Sequence, residues 1–173
     1  AGCNFKCPFC HNASLVTKVD DEYIQEDEFF SFLSKRKGVL EGVCITGGEP
    51  TLIEGAPELI AALKAAGYFI AVETNATVDA PWLQFVDYVA CSPKAEFPDK
   101  VELKKANEGR VVASDDRAVE FCQRVKELIE ADDYYVSPCD HDGEIDFATA
   151  KSVLSKLDGW SLSVQLHKIL GFR

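Results

Sequence analysis

Residues 42–76 read GVCITGGEPTLIEGAPELIAALKAAGYFIAVETNA. The first five, GVCIT, form a short apolar run of the kind a buried strand carries. Gly47 and Gly48 end that run. Pro57–Ala66 then has proline in its first turn and stops at Gly67, a matched pair of helix start and stop signals. Residues 68–73, YFIAVE, return to an extended pattern. Strand, helix and strand in this order predict a βαβ unit, and with it a parallel sheet covered by helices.

The same alternation runs outward along the chain. Further strands are predicted at 87–91 (DYVAC), 110–113 (RVVA), 134–136 (YYV) and 162–166 (LSVQL). Helices are predicted at 27–37, with Phe29, Phe30 and Leu33 at helical spacing, at 115–131 and at 147–157. Residues 96–109 are polar and lysine-rich and read as a surface excursion. With 173 residues and no repeat or linker, a single α/β domain over 1–173 is expected.

Composition narrows the function. Eighteen basic against 29 acidic side chains give a net charge of −11. Such a surface repels phosphate backbones, so nucleic acid is a poor partner and a small substrate or a protein is favoured. No apolar run approaches the ~20 residues of a membrane helix, and residues 1–30 do not read as a secretory leader, so none is expected. Three of the seven cysteines fall within eight residues, which argues against a disulfide framework and for a reducing cytoplasm. The chain opens at Ala1-Gly2, directly before Cys3, so a preceding N-terminal strand is expected. It contains no methionine.

Residues 2–12, GCNFKCPFCHN, place Cys3, Cys7 and Cys10 in a Cys-x3-Cys-x2-Cys spacing. Three thiolates on one tight loop can grip three irons of a cubane and leave the fourth open to a reactant. A zinc knuckle with His11 as fourth ligand is the alternative. Adjacent Cys10 and His11 would strain to chelate one ion, and zinc motifs generally come as separated pairs. The other cysteines, Cys44, Cys91, Cys122 and Cys139, lie in apolar settings and read as small core residues.

Polar motifs stand at the predicted strand ends, where βα architectures bind ligands. Thr46-Gly47-Gly48-Glu49-Pro50 offers close backbone approach and a carboxylate. Glu73-Thr74-Asn75 and Ser92-Pro93-Lys94 end the next two strands; each taken alone would be a turn. In the segment 160–168, WSLSVQLHK, strand alternation would set Ser161, Ser163, Gln165 and His167 on one face. Such a face points into a cleft or, on an edge strand, into water.

The cysteine spacing, with Phe9 before the third cysteine, resembles the radical S-adenosylmethionine (SAM) superfamily. The resemblance implies a partial (β/α) barrel of parallel strands with outer helices. It implies a [4Fe-4S] cluster on Cys3, Cys7 and Cys10, with SAM bound at the open iron. There one electron, from a flavodoxin- or ferredoxin-like donor, cleaves SAM to methionine and a 5′-deoxyadenosyl radical that abstracts hydrogen. Gly47, Gly48 and Glu49 match the GGE motif that contacts the SAM amino group, about 36 residues after Cys10. Asn75 matches an ETNG element in which Ala76 here replaces glycine, and Ser92 and Lys94 become candidates for the SAM carboxylate and ribose. A non-catalytic iron–sulfur carrier would need none of these ordered motifs.

Within the superfamily two resemblances compete. Residues 10–52 look like glycyl-radical enzyme activating proteins of the anaerobic ribonucleotide reductase or pyruvate formate-lyase type, through CHNASLV and EFFSFLSKRKGVLEGVCITGGEPTL. Residues 67–173 look like 7-carboxy-7-deazaguanine synthases, through GYFIAVETNAT, YVACSPKAEF, YYVSPCD and WSLSVQLHKILGFR. The second is favoured because it lies at the substrate end of the barrel. It implies a carbon–nitrogen lyase of the queuosine route that converts 6-carboxy-5,6,7,8-tetrahydropterin to 7-carboxy-7-deazaguanine. Gln165 and His167 become the candidate substrate ligands. Mg²⁺ is a further ion, with Asn12 as its candidate ligand where the synthases carry a hydroxyl residue. A homodimer is the expected assembly.

Overall fold

The computed structural model describes residues 2–10, 13–16, 24–141 and 143–171, with the backbone alone for His167. His11 and the expected Mg²⁺ ligand Asn12 lie outside the described residues. Six parallel strands form one sheet: β1 (Gly42–Ile45), β2 (Phe69–Thr74), β3 (Tyr88–Cys91), β4 (Lys105–Ala113), β5 (Glu130–Pro138) and β8 (Ser161–Leu162), in that spatial order. A two-stranded hairpin, β6 (Asp140–His141) and β7 (Glu144–Ile145), follows β5. The helices are α1 (Glu26–Ser34), α2 (Ala56–Ala65), α3 (Ala118–Leu128), α4 (Phe147–Leu154) and α5 (Leu166–Leu170). The architecture is the expected partial (β/α) barrel. Among the described residues no helix is long and apolar enough to cross a membrane.

Strand alternation sorts the side chains into two layers. Ile70 and Val72 of β2, Val111 and Ala113 of β4, and Val136 of β5 are fully buried. They pack with Ile60 and Leu63 of α2, Phe121, Cys122 and Val125 of α3, and Ala150 and Val153 of α4. The residues between them, Glu73, Arg110, Val112 and Ser137, face a cavity on the other side of the sheet. Burial of one face thus fixes what the opposite face presents. Asp146 caps α4 by accepting from the Thr149 N–H at 2.9 Å and its hydroxyl at 2.6 Å.

The sequence reading fails in three places. The excursion expected at 96–109 is strand from Lys105, paired with β5 in the register Lys105↔Glu130. Glu108 and Arg110 share the inner face of that strand, and Asn107, which alternates with them, has its Oδ1 accepting from the Val89 N–H at 2.9 Å. The strand expected at 162–166 stops at Leu162, beyond one last ladder bond from Ser163 N–H to Val136 O at 2.9 Å. The Gln165 carbonyl then accepts from Lys168 N at 3.0 Å, which starts α5. Cys44, expected in the core, is exposed, because β1 is an edge strand with a neighbour on one side only. Cys91, Cys122 and Cys139 are buried as expected.

Asp87 ties the start of β2 to the rest of the domain. It accepts from the Lys64 ammonium at 2.7 Å and from the Ile70 N–H at 2.8 Å. The Lys64 hydrogen bond, and next the Ile70 N–H, hold its carboxyl below the usual carboxylate range. A carboxyl depressed in the folded state stabilises above its unfolded pKa and loses that contribution as pH falls through the folded one. Urea midpoints of wild type and Asp87→Asn should therefore differ by a constant amount above pH ~5 and converge progressively as pH falls below it. A gap independent of pH down to pH 2 would remove Asp87 from the account.

Candidate active site

The strand C-termini and the cysteine loop enclose a cavity of about 220 Å³. Cys3, Cys7 and Cys10 all line it, together with Phe5 and Phe9. The loop is folded by its own backbone and by one aromatic anchor. Cys10 N–H bonds Cys7 O at 3.1 Å, and Cys3 N–H bonds Val16 O at 3.2 Å. Phe5 is buried and stacks on Phe97 with ring centroids 4.1 Å apart and planes 9° from parallel. Burial pushes the Cys7 thiol up, opposed by the charge of Lys94.

Among the described residues no three His, Cys, Asp or Glu side chains converge closely enough for a single metal ion. A cubane asks for something different, one thiolate for each of three irons at separate corners. Three free, half-buried thiols on one loop, facing a cavity rimmed by aromatic rings, fit that group.

The GGE turn lies directly beneath the loop. Glu49 N–H donates to Gly2 O at 2.7 Å. A Cβ on Gly48 would lie 1.9 Å from that same Gly2 oxygen, so only glycine lets the cysteine loop cross here. Gly47 has φ +129° and needs glycine for its own backbone. Both glycines line the cavity.

Glu49 does not face it. The residue is 1% exposed, and protein donors occupy both carboxylate oxygens. Oε1 accepts from Thr51 N–H at 3.1 Å, Thr51 hydroxyl at 2.6 Å and Thr74 hydroxyl at 2.6 Å. Oε2 accepts from Asn75 N–H at 2.6 Å. In this structure the Glu49 carboxylate fastens the GGE turn to the end of β2. Burying a charge is tolerable only when it is paired and hydrogen-bonded, and these donors satisfy it.

Asn75 lines the cavity, but its side chain is also held by protein. Its Oδ1 accepts from Thr77 N–H at 3.0 Å and Thr77 hydroxyl at 2.7 Å, and its Nδ2 donates to Asn4 Oδ1 at 2.8 Å. Ala76, where the related motif has glycine, takes φ +66°, and its carbonyl accepts from Glu102 N–H at 2.9 Å. Ser92 and Lys94 are in the wall as expected, with the Lys94 ammonium donating to Ser92 Oγ at 2.7 Å. Burial holds the Lys94 ammonium below the ordinary lysine range, against the opposite pull of Cys7 and Glu96.

The structure adds residues that the sequence reading passed over. Arg110 projects from β4 into the cavity between two carboxylates. Its Nε donates to Glu108 Oε1 at 2.7 Å, and its Nη1 lies 3.9 Å from Glu73 Oε1. Glu108 also accepts from Tyr88 OH at 3.1 Å. Burial, and then the Glu108 charge, push the Tyr88 phenol up to about 12. The signal was Glu108-x-Arg110, the i, i+2 pattern of a strand face, hidden in what read as an excursion. At the far end the cavity is lined by Ser137, Gln165 and the ion pair of Asp140 with Lys168. Gln165 is thus brought to the wall as expected. Because α5 replaces the strand, its shared face with His167 is lost, and the His167 side chain lies outside the described residues.

Comparison with known proteins decides the family. The model of the radical SAM superfamily matches residues 1–146. The 7-carboxy-7-deazaguanine synthase of Haemophilus influenzae is 34% identical over 98% of this chain and 80% of its own. That of Bacteroides thetaiotaomicron is 33% identical over 100% of this chain and 85% of its own. The chain belongs to the radical SAM superfamily, in its 7-carboxy-7-deazaguanine synthase family. A putative glycyl-radical enzyme activating enzyme of Methanocaldococcus jannaschii is 32% identical over 62% of this chain and 46% of its own. Among solved structures, Streptococcus suis SuiB bound to precursor peptide SuiA superposes with a TM-score of 0.62 at 16% identity. That match covers 94% of this chain and 46% of SuiB, so the chain spans about half of that protein and the likeness is one of fold. As in the superfamily at large, the cofactors are a [4Fe-4S] cluster and SAM.

The role of Glu49 has a direct check. Removing one partner of a buried hydrogen-bonded set leaves the others unsatisfied, at about 1–3 kcal/mol. Glu49→Ala should lower the urea unfolding free energy of the cluster-free protein by at least that amount. An unchanged unfolding free energy would contradict this fastening role.

Proposed function

We propose that the protein converts 6-carboxy-5,6,7,8-tetrahydropterin to 7-carboxy-7-deazaguanine, as a radical SAM carbon–nitrogen lyase. One observation carries this reading. The superfamily model ends at residue 146, yet the match to synthases continues through the whole chain. The matched length therefore includes the segment beyond residue 146, which supplies Gln165 and Lys168 to the cavity wall.

When bound, the cluster and SAM supply one electron, from a flavodoxin- or ferredoxin-like donor, and a carbon-centred radical that removes a hydrogen atom from substrate. The remaining work belongs to the chain's own residues. Cys3, Cys7 and Cys10 hold the cluster at one end of the cavity. The backbone of Gly47 and Gly48 admits SAM closely, and Ser92 and Lys94 offer a hydroxyl and a cation to its carboxylate and ribose. Arg110, fixed by Glu108, keeps a cation facing the cavity where an anionic group of either ligand can be met. Gln165 offers an amide to the pterin edge. Phe5 and Phe9 keep water from the thiolates, which matters because exposure alters a cluster's potential. Mg²⁺ prefers oxygen ligands and keeps several waters, so it would need few protein groups and would lean on substrate oxygens.

Anaerobic incubation of reconstituted protein with SAM, dithionite and the carboxytetrahydropterin tests the reading. Carboxydeazaguanine and 5′-deoxyadenosine should form together, and omission of the pterin should abolish the first product. No turnover of the pterin, with a glycyl radical installed on a reductase partner instead, would replace the synthase with an activating enzyme.

A further inference from the structure

Asn75 sits where a SAM ligand was expected, yet its geometry points at the cluster. Its Nδ2 lies 3.8 Å from Cys3 Sγ, a distance suited to an N–H donor on sulfur. The amide cannot turn away. Its oxygen already accepts two bonds from Thr77, so the nitrogen must face Asn4 and Cys3. Asn4 is held in turn, with Nδ2 donating to Thr77 Oγ1 at 2.9 Å. The Asn75 backbone is pinned by Glu49 Oε2. A second donor, Phe5 N–H, approaches the same sulfur at 3.4 Å. Among the described residues, Cys3 is the one cysteine of the loop whose sulfur accepts from protein donors.

We propose that Asn75 is a positioning residue for the cluster, raising its reduction potential through the Cys3 sulfur, and is not a SAM ligand. The proposal rests on the assignment of Cys3, Cys7 and Cys10 to a [4Fe-4S] cluster. Reduction adds negative charge that spreads onto the thiolates. An N–H aimed at one sulfur stabilises the reduced state more than the oxidised one, which moves the potential upward. Unequal donation also singles out the iron held by Cys3.

An EPR-monitored redox titration of the reconstituted protein, without SAM, tests this. Asn75→Leu removes the donor, and Asn75→Asp also puts a negative charge beside the sulfur. Both should keep wild-type iron content and titrate at more negative potentials, the aspartate further than the leucine. SAM affinity of the leucine variant should stay within about twofold. An unchanged midpoint with lost SAM affinity would overturn the proposal and restore Asn75 as a SAM ligand. Should the variants lose iron, the wild type still decides. Electron–nuclear double resonance on protein made with ¹⁵N-asparagine should show a weak ¹⁵N coupling to the reduced cluster, and its absence would contradict the proposal. Failure of the cluster assignment looks different, since iron would then survive replacement of Cys3.

Discussion

One buried carboxylate organises this site. Glu49 gathers hydrogen bonds from Thr51 beside it and from Thr74 and Asn75 at the end of β2. Its own N–H holds Gly2, the residue before Cys3. Three chain segments that are far apart in sequence therefore meet at one residue: the start of the cysteine loop, the GGE turn and the ETN turn. A charge buried without partners would cost far more than the fold could spare, so its satisfaction dictates where each segment goes. Gly48 is glycine for the same reason, because the loop passes over it in contact.

From that knot the electrostatics of the cavity spread along the inner face of the sheet. The cysteine end carries Lys94, and the middle carries Arg110 between Glu73 and Glu108. The far end carries Asp140 with Lys168. In a chain of net charge −11, three cations line this cavity, Lys94, Arg110 and Lys168, beside the carboxylates Glu73 and Asp140. Arg110 is braced by Glu108, and Glu108 by Tyr88, so its fork is preorganised.

Much of this was legible from residues alone. The βαβ order came from the punctuation of residues 42–76, since Gly47, Pro57 and Gly67 mark boundaries by backbone chemistry that tertiary context seldom overrides. The cysteine spacing and the motifs at strand ends located the cavity because a parallel sheet gives its loops one common side. What stayed hidden depended on distant partners. Glu49 turns inward because Thr74 waits 25 residues further on. Phe97 matters because Phe5 stacks on it, and nothing local announces that. The polar strand from Lys105 hid because a run carrying Lys105, Asn107, Glu108 and Arg110 has the composition of a surface loop. Beyond Leu162, alternation persisted in sequence after pairing with β5 had stopped at Val136↔Leu162, and the chain closed a helical turn instead.

The central claim is that Cys3, Cys7 and Cys10 hold a cluster whose open iron faces SAM within this cavity. Titrating SAM into the dithionite-reduced, reconstituted protein while recording its EPR spectrum tests it most directly. The cluster signal should change in shape and g-values, saturating at one SAM per chain. A spectrum indifferent to SAM, with the iron content intact, would contradict the claim.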